Sequence, residues 1–204
     1  VLHTLKKLEK QGFEVTLLDV DADGLVDPEA VRKAIRPDTA LVTIMAANNE
    51  IGTLEPIKEI GAVCRENKVT FHTDAVQAVG HIPIDVKEIG CDMLSLAAHK
   101  FHGPKGVGVL FARRGLLLSS IIEGGAQERG KRAGTENIAG IVSAAAALKE
   151  AAAELEETSA RIEKLRDRLI EGLSAIPHCA LNGSRDKRLP GNVSFCFEGI
   201  EGES

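Results

Sequence analysis

Short apolar runs alternate with amphipathic segments through the first half of the chain, and this alternation constrains the fold more than any other feature. Four segments have the length and apolar content of strands: residues 40–46, 69–73, 93–97 and 107–112. Between the first two, residues 56–67 follow a helical pattern. Ile57, Ile60 and Cys64 are expected on its inner side. Strands that alternate with helices predict βαβ units, so we expect an α/β fold with a mostly parallel central sheet flanked by helices.

The other elements of this half are shorter. Three are predicted: the end of a helix over residues 1–11, a β-prone run over 13–18 and a short helix over 74–79. Asp27 and Pro28 are expected to open a helix that runs to about residue 35, because Asp is a favoured N-cap and Pro fits the first turn. Residues 40–46 are nearly all apolar, which predicts a strand covered on both faces.

Composition changes near residue 137. Residues 137–176 are rich in Ala, Glu, Leu and Arg and almost free of Gly, which predicts one long helix or two. A turn-rich segment over 177–191 precedes a strand over 192–197. We place a domain boundary near residue 150: residues 1–150 form a large domain whose N-terminal part is missing, and residues 151–204 form the truncated beginning of a smaller α+β domain. The chain starts without Met and inside a helix, so we expect a fragment.

Charge and cysteine content argue against several classes of protein, including nucleic-acid-binding and membrane proteins. The net charge is −5, the basic residues are dispersed and Trp and Tyr are absent, which argues against a nucleic-acid partner. We find no apolar run that could span a membrane and no signal peptide, so no membrane partner is expected. Four separated cysteines form no CxxC pair and are expected to pack as small buried or half-buried residues. Reduced thiols favour the cytoplasm.

Polar residues follow three of the predicted strands at the point where each strand ends. Asn48-Asn49-Glu50 follows the first, Asp74 the second and His99-Lys100 the third. Ligands of parallel α/β sheets bind beyond the carboxyl ends of the strands. The three loops are therefore expected to build one site.

Each of these residues has a structural alternative. Lys100, if partly buried, would have a lowered pKa and a nucleophilic amine suited to a Schiff base, but it could equally be a surface lysine on a turn. Asp74 could hold a proton on a ring nitrogen or cap the next helix. Asn49 could contact a ligand or form a turn. His99 and His102 could pair on a metal, but no carboxylate stands at ligand spacing, so no metal site is predicted.

Residues 129–137 form a basic, glycine-containing loop that leads into the long helical segment. Such a loop can bind phosphate through backbone N–H groups, a hydroxyl and the helix N-terminus. The alternative is a charged capping loop.

Taken together, four strings resemble the NifS/IscS class of cysteine desulfurases, which are fold-type-I, class V aminotransferase-like enzymes that use pyridoxal 5'-phosphate (PLP). The strings are Asn48-Asn49-Glu50-Ile51-Gly52, His72-Thr73-Asp74-Ala75-Val76-Gln77, His99-Lys100 with Gly103-Pro104-Lys105-Gly106, and Gly124-Gly125-Ala126-Gln127-Glu128-Arg129 with Arg132-Ala133-Gly134-Thr135. Asp74-Ala75-Val76-Gln77 and Gly103-Pro104-Lys105-Gly106 favour this class over the SufS-like branch.

The resemblance implies a role for each matching residue. Lys100 is the expected Schiff-base lysine and acid/base group, and Asp74 the expected partner of the pyridinium nitrogen. Four further contacts are implied: Gln77 with the phenolic oxygen, Asn49 near it, Ala75 on one ring face and His99 at the phosphate. Thr135 is expected to contact the phosphate of a neighbouring subunit's cofactor, which implies a homodimer.

Three family features are altered or lacking. Ala97 stands where the family usually has a phosphate-binding Ser, which implies weaker phosphate binding or other donors. The ring-stacking His would fall before Val1. The catalytic Cys loop and the substrate-binding Arg would fall beyond Ser204, so none of the four cysteines matches the catalytic position.

The resemblance therefore implies a desulfurase that converts L-cysteine to L-alanine and passes sulfur as a persulfide to a Cys outside this chain. A sulfur-acceptor or iron–sulfur scaffold protein is an expected partner. Two alternatives stay open: another class V PLP enzyme such as an aminotransferase, and a catalytically inactive fragment.

Overall fold

A four-stranded sheet organises the first half of the molecule in the computed structural model, which describes residues 1–202. Its strands are β1 (Leu41–Met45), β2 (Thr70–Asp74), β3 (Met93–Ala97) and β4 (Gly108–Ala112), in the spatial order β1-β2-β3-β4. The first three strands are parallel, and β4 runs antiparallel to β3. The predicted α/β fold with a mostly parallel sheet is confirmed.

Helices connect and cover these strands. They are α1 (Leu2–Glu9), α2 (Pro28–Ala34), α3 (Ile57–Glu66), α4 (Val86–Ile89), α5 (Gln127–Gly130), α6 (Ile138–Ala153) and α7 (Leu155–Ser174), with a 3-10 turn over Ala98–Phe101. The start of α2 is confirmed, since the Asp27 carboxylate accepts a hydrogen bond from Glu29 N at 3.0 Å. This bond satisfies one of the free N–H groups of the first turn.

The main core lies between α3 and one face of the sheet. Ile57, Ile60 and Cys64 are buried on the inner side of α3, as predicted, and they share a cluster with Phe71 of β2. Burial of such side chains contributes on the order of 1.5–3 kcal/mol each. This packing fixes β2, whose last residue is Asp74.

Two predictions for strands need correction. Residues 13–18 form no strand, because no other described strand pairs with them through backbone hydrogen bonds. The strand predicted over 40–46 is shortened to β1 and is not covered on both faces. Leu41 and Met45 are exposed, because they point away from the core that covers Val42 and Ile44.

The short helix predicted over residues 74–79 is a series of turns. Ala78 N and Val79 N both donate to Ala75 O at 3.0 Å, but no run of successive helical bonds follows. The Asp74 side chain accepts from Val76 N, as an N-cap would, but Gly80 reverses the chain at a φ of +83°. A left-handed residue after one turn stops helix propagation.

The second half begins with the two helices α6 and α7, which separate at Glu154. A two-stranded antiparallel sheet follows, formed by β5 (Cys179–Leu181) and β6 (Phe195–Phe197). β5 lies inside the segment predicted as turns, and β6 is shorter than the predicted 192–197. The division of the chain near residue 150 stays a prediction. Within residues 1–202, no helix has the length and apolar character needed to cross a membrane.

Candidate functional site

The loops that follow β1, β2 and β3 start side by side. Ala46 N donates to Asp74 O at 2.8 Å, and Ala75 N donates to Ser95 O at 2.9 Å. These bonds continue the parallel ladder past the ends of the strands. The expected meeting of three polar loops at one edge of the sheet is confirmed, and we call this edge the strand-end site.

Lys100 lies on the 3-10 turn directly after β3 and is half-buried. The ring of His81 holds its backbone, because His81 Nε2 donates to Lys100 O at 2.8 Å. Since a carbonyl can only accept, Nε2 of His81 carries the proton. Ser159 of α7 in turn donates to His81 O at 3.0 Å. The lysine is thus placed by two residues that its local sequence does not contain.

A tight reversal ends the turn that carries Lys100. His102 adopts a left-handed conformation with φ of +65°, which is costly for a residue other than glycine. Gly103 N then donates to Ala98 O at 2.9 Å, and a Cβ at Gly103 would lie 2.9 Å from the same oxygen. Phe101 is buried beneath the turn, whereas His99 is exposed. The reversal therefore confines Lys100 and His99 to one short turn.

Asp74 is the last residue of β2 and is half-buried. Its Oδ1 accepts from Val76 N at 3.0 Å, so the carboxylate shapes the turn while Oδ2 is left for another donor. The capping and ligand alternatives are therefore compatible here. Gln77 is half-buried on the same turn. Ala75 is completely buried in the core, so contact with a ligand ring would require neighbouring side chains to shift.

A chain of side-chain hydrogen bonds crosses the sheet beneath Asp74. His72 Nδ1 and Thr43 Oγ1 are 2.7 Å apart, and His72 Nε2 and Ser95 Oγ are 2.8 Å apart. Burial lowers the pKa of His72, although the nearby Asp74 carboxylate acts in the opposite direction. A neutral imidazole donates at one nitrogen and accepts at the other, so it can bridge two hydroxyls. The bridge ties together β1, β2 and β3.

Asn49 is exposed on the loop after β1. The neighbouring Asn48 Oδ1 accepts from Glu50 N at 2.8 Å and from Ile51 N at 3.1 Å, which closes a turn around Asn49. The turn is therefore made by Asn48, and the ligand role of Asn49 stays a prediction. The buried Arg188, which sequence reasoning missed, donates to Ile51 O at 2.7 Å.

The basic loop predicted to bind phosphate belongs to a long exposed segment, residues 113–137, which we call the arm. Among the described residues, residues 116–134 form hydrogen bonds only with other residues of the arm. Within α5, Glu128 and Arg129 adopt left-handed conformations. Thr135 is exposed. No hydrogen bond among the described residues joins Thr135 to the strand-end site.

The four cysteines differ in environment. Cys64 and Cys91 are buried, as expected, and burial raises the pKa of Cys64 to about 11. Burial also raises the pKa of Cys91. Cys179 is half-buried, but Cys196 is exposed on β6, so the expected burial is wrong for that residue. Within residues 1–202, no three His, Cys, Asp or Glu side chains gather as metal ligands would.

The whole chain matches a known family and known relatives. A model of the family described as aminotransferase class-V matches residues 1–204. The cysteine desulfurase IscS of Methanosarcina thermophila is 58% identical over 204 residues, which are 100% of this chain and 50% of that protein. The chain thus spans about half the length of the curated relatives it matches.

Solved structures of related proteins have the same fold. A NifS-like protein superposes with a TM-score of 0.95 at 42% identity, over 100% of this chain and 56% of that one. A structure of SspA in complex with cysteine superposes with a TM-score of 0.72 at 46% identity, over 73% of this chain and 44% of that one.

Proposed function

The chain belongs to the aminotransferase class-V family, and we propose that the protein carrying it is a PLP-dependent cysteine desulfurase. Its substrate is L-cysteine, and its products are L-alanine and a protein-bound persulfide. One observation carries the proposal: Asp74 and Lys100 lie at the ends of adjacent parallel strands in a chain that is 58% identical to a cysteine desulfurase. The SspA complex, which contains cysteine, supports the substrate.

The side chains at the strand-end site fit PLP. In the proposed arrangement, Asp74 Oδ2 keeps a proton on the ring nitrogen, since its Oδ1 is engaged with Val76 N. Bound in this protonated form, the cofactor supplies an electron sink for bonds at the substrate's α-carbon. Asn49 and Gln77 would donate amide N–H groups to the phenolic oxygen, and the exposed His99 would contact the phosphate. Ala75 would pack on the ring after a local shift.

Lys100 has two functions in this proposal. Its Nζ would hold the cofactor covalently, and the same amine would donate and accept protons at the substrate's α-carbon. The bond from His81 to Lys100 O fixes the main chain, so the flexible lysine stem can move between these positions without moving the turn. Half-burial of the side chain excludes part of the surrounding water.

The sulfur acceptor is proposed to be a Cys outside residues 1–204. Cys64 and Cys91 are poor candidates, because they are buried and their raised pKa values disfavour the nucleophilic thiolate. A sulfur-acceptor or iron–sulfur scaffold protein would then receive the sulfur. We also propose a reducing compartment such as the cytoplasm, which suits four free thiols.

A homodimer is proposed because apolar side chains stand exposed along the arm and α6. Leu117 and Ile121 of the arm are 96% and 95% exposed, and Ile138 and Val142 of α6 are also exposed. Several exposed large apolar side chains in one part of the chain favour an interface. Thr135 lies between these two groups in the sequence, and it would contact the phosphate bound by the partner subunit.

The test is substitution of Lys100 in the protein that carries this chain. In Lys100→Ala, we expect borohydride reduction to attach no PLP to the protein by mass spectrometry, and alanine release from cysteine to cease. Lys105→Ala, an exposed lysine of the same loop, is the matched control and should retain both. Attachment of PLP to the Lys100 variant would contradict the proposal. Formation of a keto acid with no persulfide would favour the aminotransferase alternative.

A further inference from the structure

A buried arginine lies beneath the loop that carries Asn49. Arg188 is 2% exposed, and within residues 1–202 no carboxylate lies within ion-pair distance of it. Burial lowers the pKa of Arg188, the nearby Arg166 and Arg185 add to this effect, and the more weakly acting Asp23 opposes it. A buried cation without a counter-ion is costly unless its N–H groups are satisfied.

All three nitrogens of the Arg188 guanidinium donate to neutral oxygen atoms. Nε donates to Ser184 O at 2.9 Å, Nη2 donates to Asn182 O, and Nη1 donates to Ile51 O at 2.7 Å. Nη1 also donates to Asn192 Oδ1 at 2.7 Å. The planar fork of arginine can serve these separate acceptors together, whereas a lysine amine cannot reach them all.

The arginine also orients a second side chain toward the same loop. Because Asn192 Oδ1 accepts from Arg188, its Nδ2 points to Glu50 O, at 3.0 Å. Gly52, at a φ of +77°, packs so tightly on Asn192 that a Cβ would collide with it. The backbone just after Asn49 is therefore held at two consecutive carbonyls, those of Glu50 and Ile51.

Backbone hydrogen bonds extend this contact. Leu189 N donates to Gly52 O and Leu54 N donates to Lys187 O, both at 2.9 Å, so that Thr53 and Arg188 form an antiparallel bridge. The loop after β1 is thus joined to the segment over residues 182–192 by both backbone and side-chain bonds. Asn49 is exposed and directly precedes the two carbonyls that this segment holds.

We propose that Arg188 is a positioning residue for the cofactor: by holding the carbonyl of Ile51 and the amide of Asn192, it sets the position from which Asn49 meets PLP. The inference rests on the proposed function, because Asn49 is a cofactor ligand only within it. Arg188 touches no cofactor atom and acts through the loop.

A residue that only stabilised the fold would behave differently. Its loss would lower the melting temperature, and its effect on PLP affinity would be independent of Asn49. A positioning residue that acts through Asn49 loses its effect on affinity once Asn49 has been removed, since contacts in one network are not additive.

The experiment is a double-mutant cycle on the PLP dissociation constant of the apoprotein. We expect Arg188→Lys and Asn49→Ala each to raise the constant about threefold to tenfold, as for loss of a hydrogen bond. The double variant should be within about twofold of Asn49→Ala alone. Arg166→Lys is the matched control, since Arg166 donates to Leu189 O but not to the loop. It should lower the melting temperature without changing the constant.

The outcomes separate the two proposals. If the two single effects multiply in the double variant, or if Arg188→Lys changes only the melting temperature, this inference is overturned while the proposed function stands. If the native apoprotein binds no PLP, both are overturned. Should Arg188→Lys fail to fold, Asn192→Ala replaces it in the cycle, because Asn192 holds Glu50 O of the same loop.

Discussion

The strand-end site and the arm both carry family motifs, but they are built in opposite ways. At the strand ends, Lys100 and Asp74 are half-buried, and their backbones are held by residues from elsewhere in the chain. In the arm, Thr135 is exposed, and the hydrogen bonds of residues 116–134 end within the arm. The strand ends are thus ordered by contacts across the fold, whereas, within residues 1–202, the arm is exposed and its residues 116–134 are hydrogen-bonded only within the arm.

The largest difference between the two regions is expected in stability. Phe101→Ala should lower the free energy of unfolding by about 3–5 kcal/mol, because Phe101 is 2% exposed beneath the Lys100 turn. Ile122→Ala in the arm, where the side chain is 52% exposed, should change it by less than about 0.5 kcal/mol in the monomer. Urea unfolding of both variants measures this. Equal losses would mean that the arm is packed as tightly as the strand ends.

The next largest effect is expected from removing the negative charge of Asp74 while its side chain keeps nearly the same shape. Asp74→Asn keeps an oxygen that can accept from Val76 N, so the turn should survive. Loss of the charge should weaken PLP binding roughly tenfold to hundredfold, as expected for a hydrogen bond to a charged group. Titration of the apoprotein with PLP provides the measurement. Asp85→Asn, at the exposed N-cap of α4, controls for loss of a capping carboxylate and should bind normally.

A smaller effect is expected from the arm, and only when subunits associate. Thr135→Val should weaken PLP binding roughly twofold to tenfold in the dimer, since one hydrogen bond is lost. At concentrations where the protein is monomeric, the variant and the native protein should bind PLP equally. Ser119→Ala is the control, as another exposed hydroxyl of the arm. An effect that persisted in the monomer would place Thr135 in its own subunit's site.

The smallest expected effect is a pH dependence confined to the strand ends. The pKa of His72 is lowered in the folded state, so the unfolded chain takes up a proton at about pH 6.5 that the native state resists. Stability should therefore fall as pH drops below this value and be unaffected above it. His72→Gln should flatten the dependence in unfolding measured at about pH 7.5 and about pH 5.5.

Exposed His3 on α1 supplies the control for this titration, and His3→Gln should leave the pH dependence of the native protein in place. An unchanged slope in His72→Gln would show that the bridge between Thr43 and Ser95 does not require a neutral imidazole.

Local sequence patterns predicted the parts of the molecule that depend on nearby residues. The apolar runs located the four strands, and the order of strands and helices placed Asn49, Asp74 and Lys100 at one edge. The same patterns failed for residues 13–18, because a strand depends on a neighbour that a local pattern cannot supply. They also failed after Asp74, where Gly80 reverses the chain after a single turn.

Local patterns could not predict the residues that hold the loops of the site, because these residues are distant in the sequence. His81 is 19 positions from Lys100, and Ser159 is 78 positions from His81. Arg188 was indistinguishable from the other basic residues of a turn-rich segment. Its four acceptors are three main-chain oxygens and one amide, which leave no signature in the sequence.

The contact between Arg188 and Ile51 has a consequence for synthesis. The two residues are 137 positions apart, so at about 5–20 residues per second Ile51 would leave the ribosome roughly 7–27 s before its partner. During that interval the sheet can assemble, but the loop that carries Asn49 lacks its bonds to Arg188 and Asn192. A nascent chain would therefore acquire its lysine turn first and a finished cofactor pocket only later, which leaves a period in which chaperones can reach the open edge.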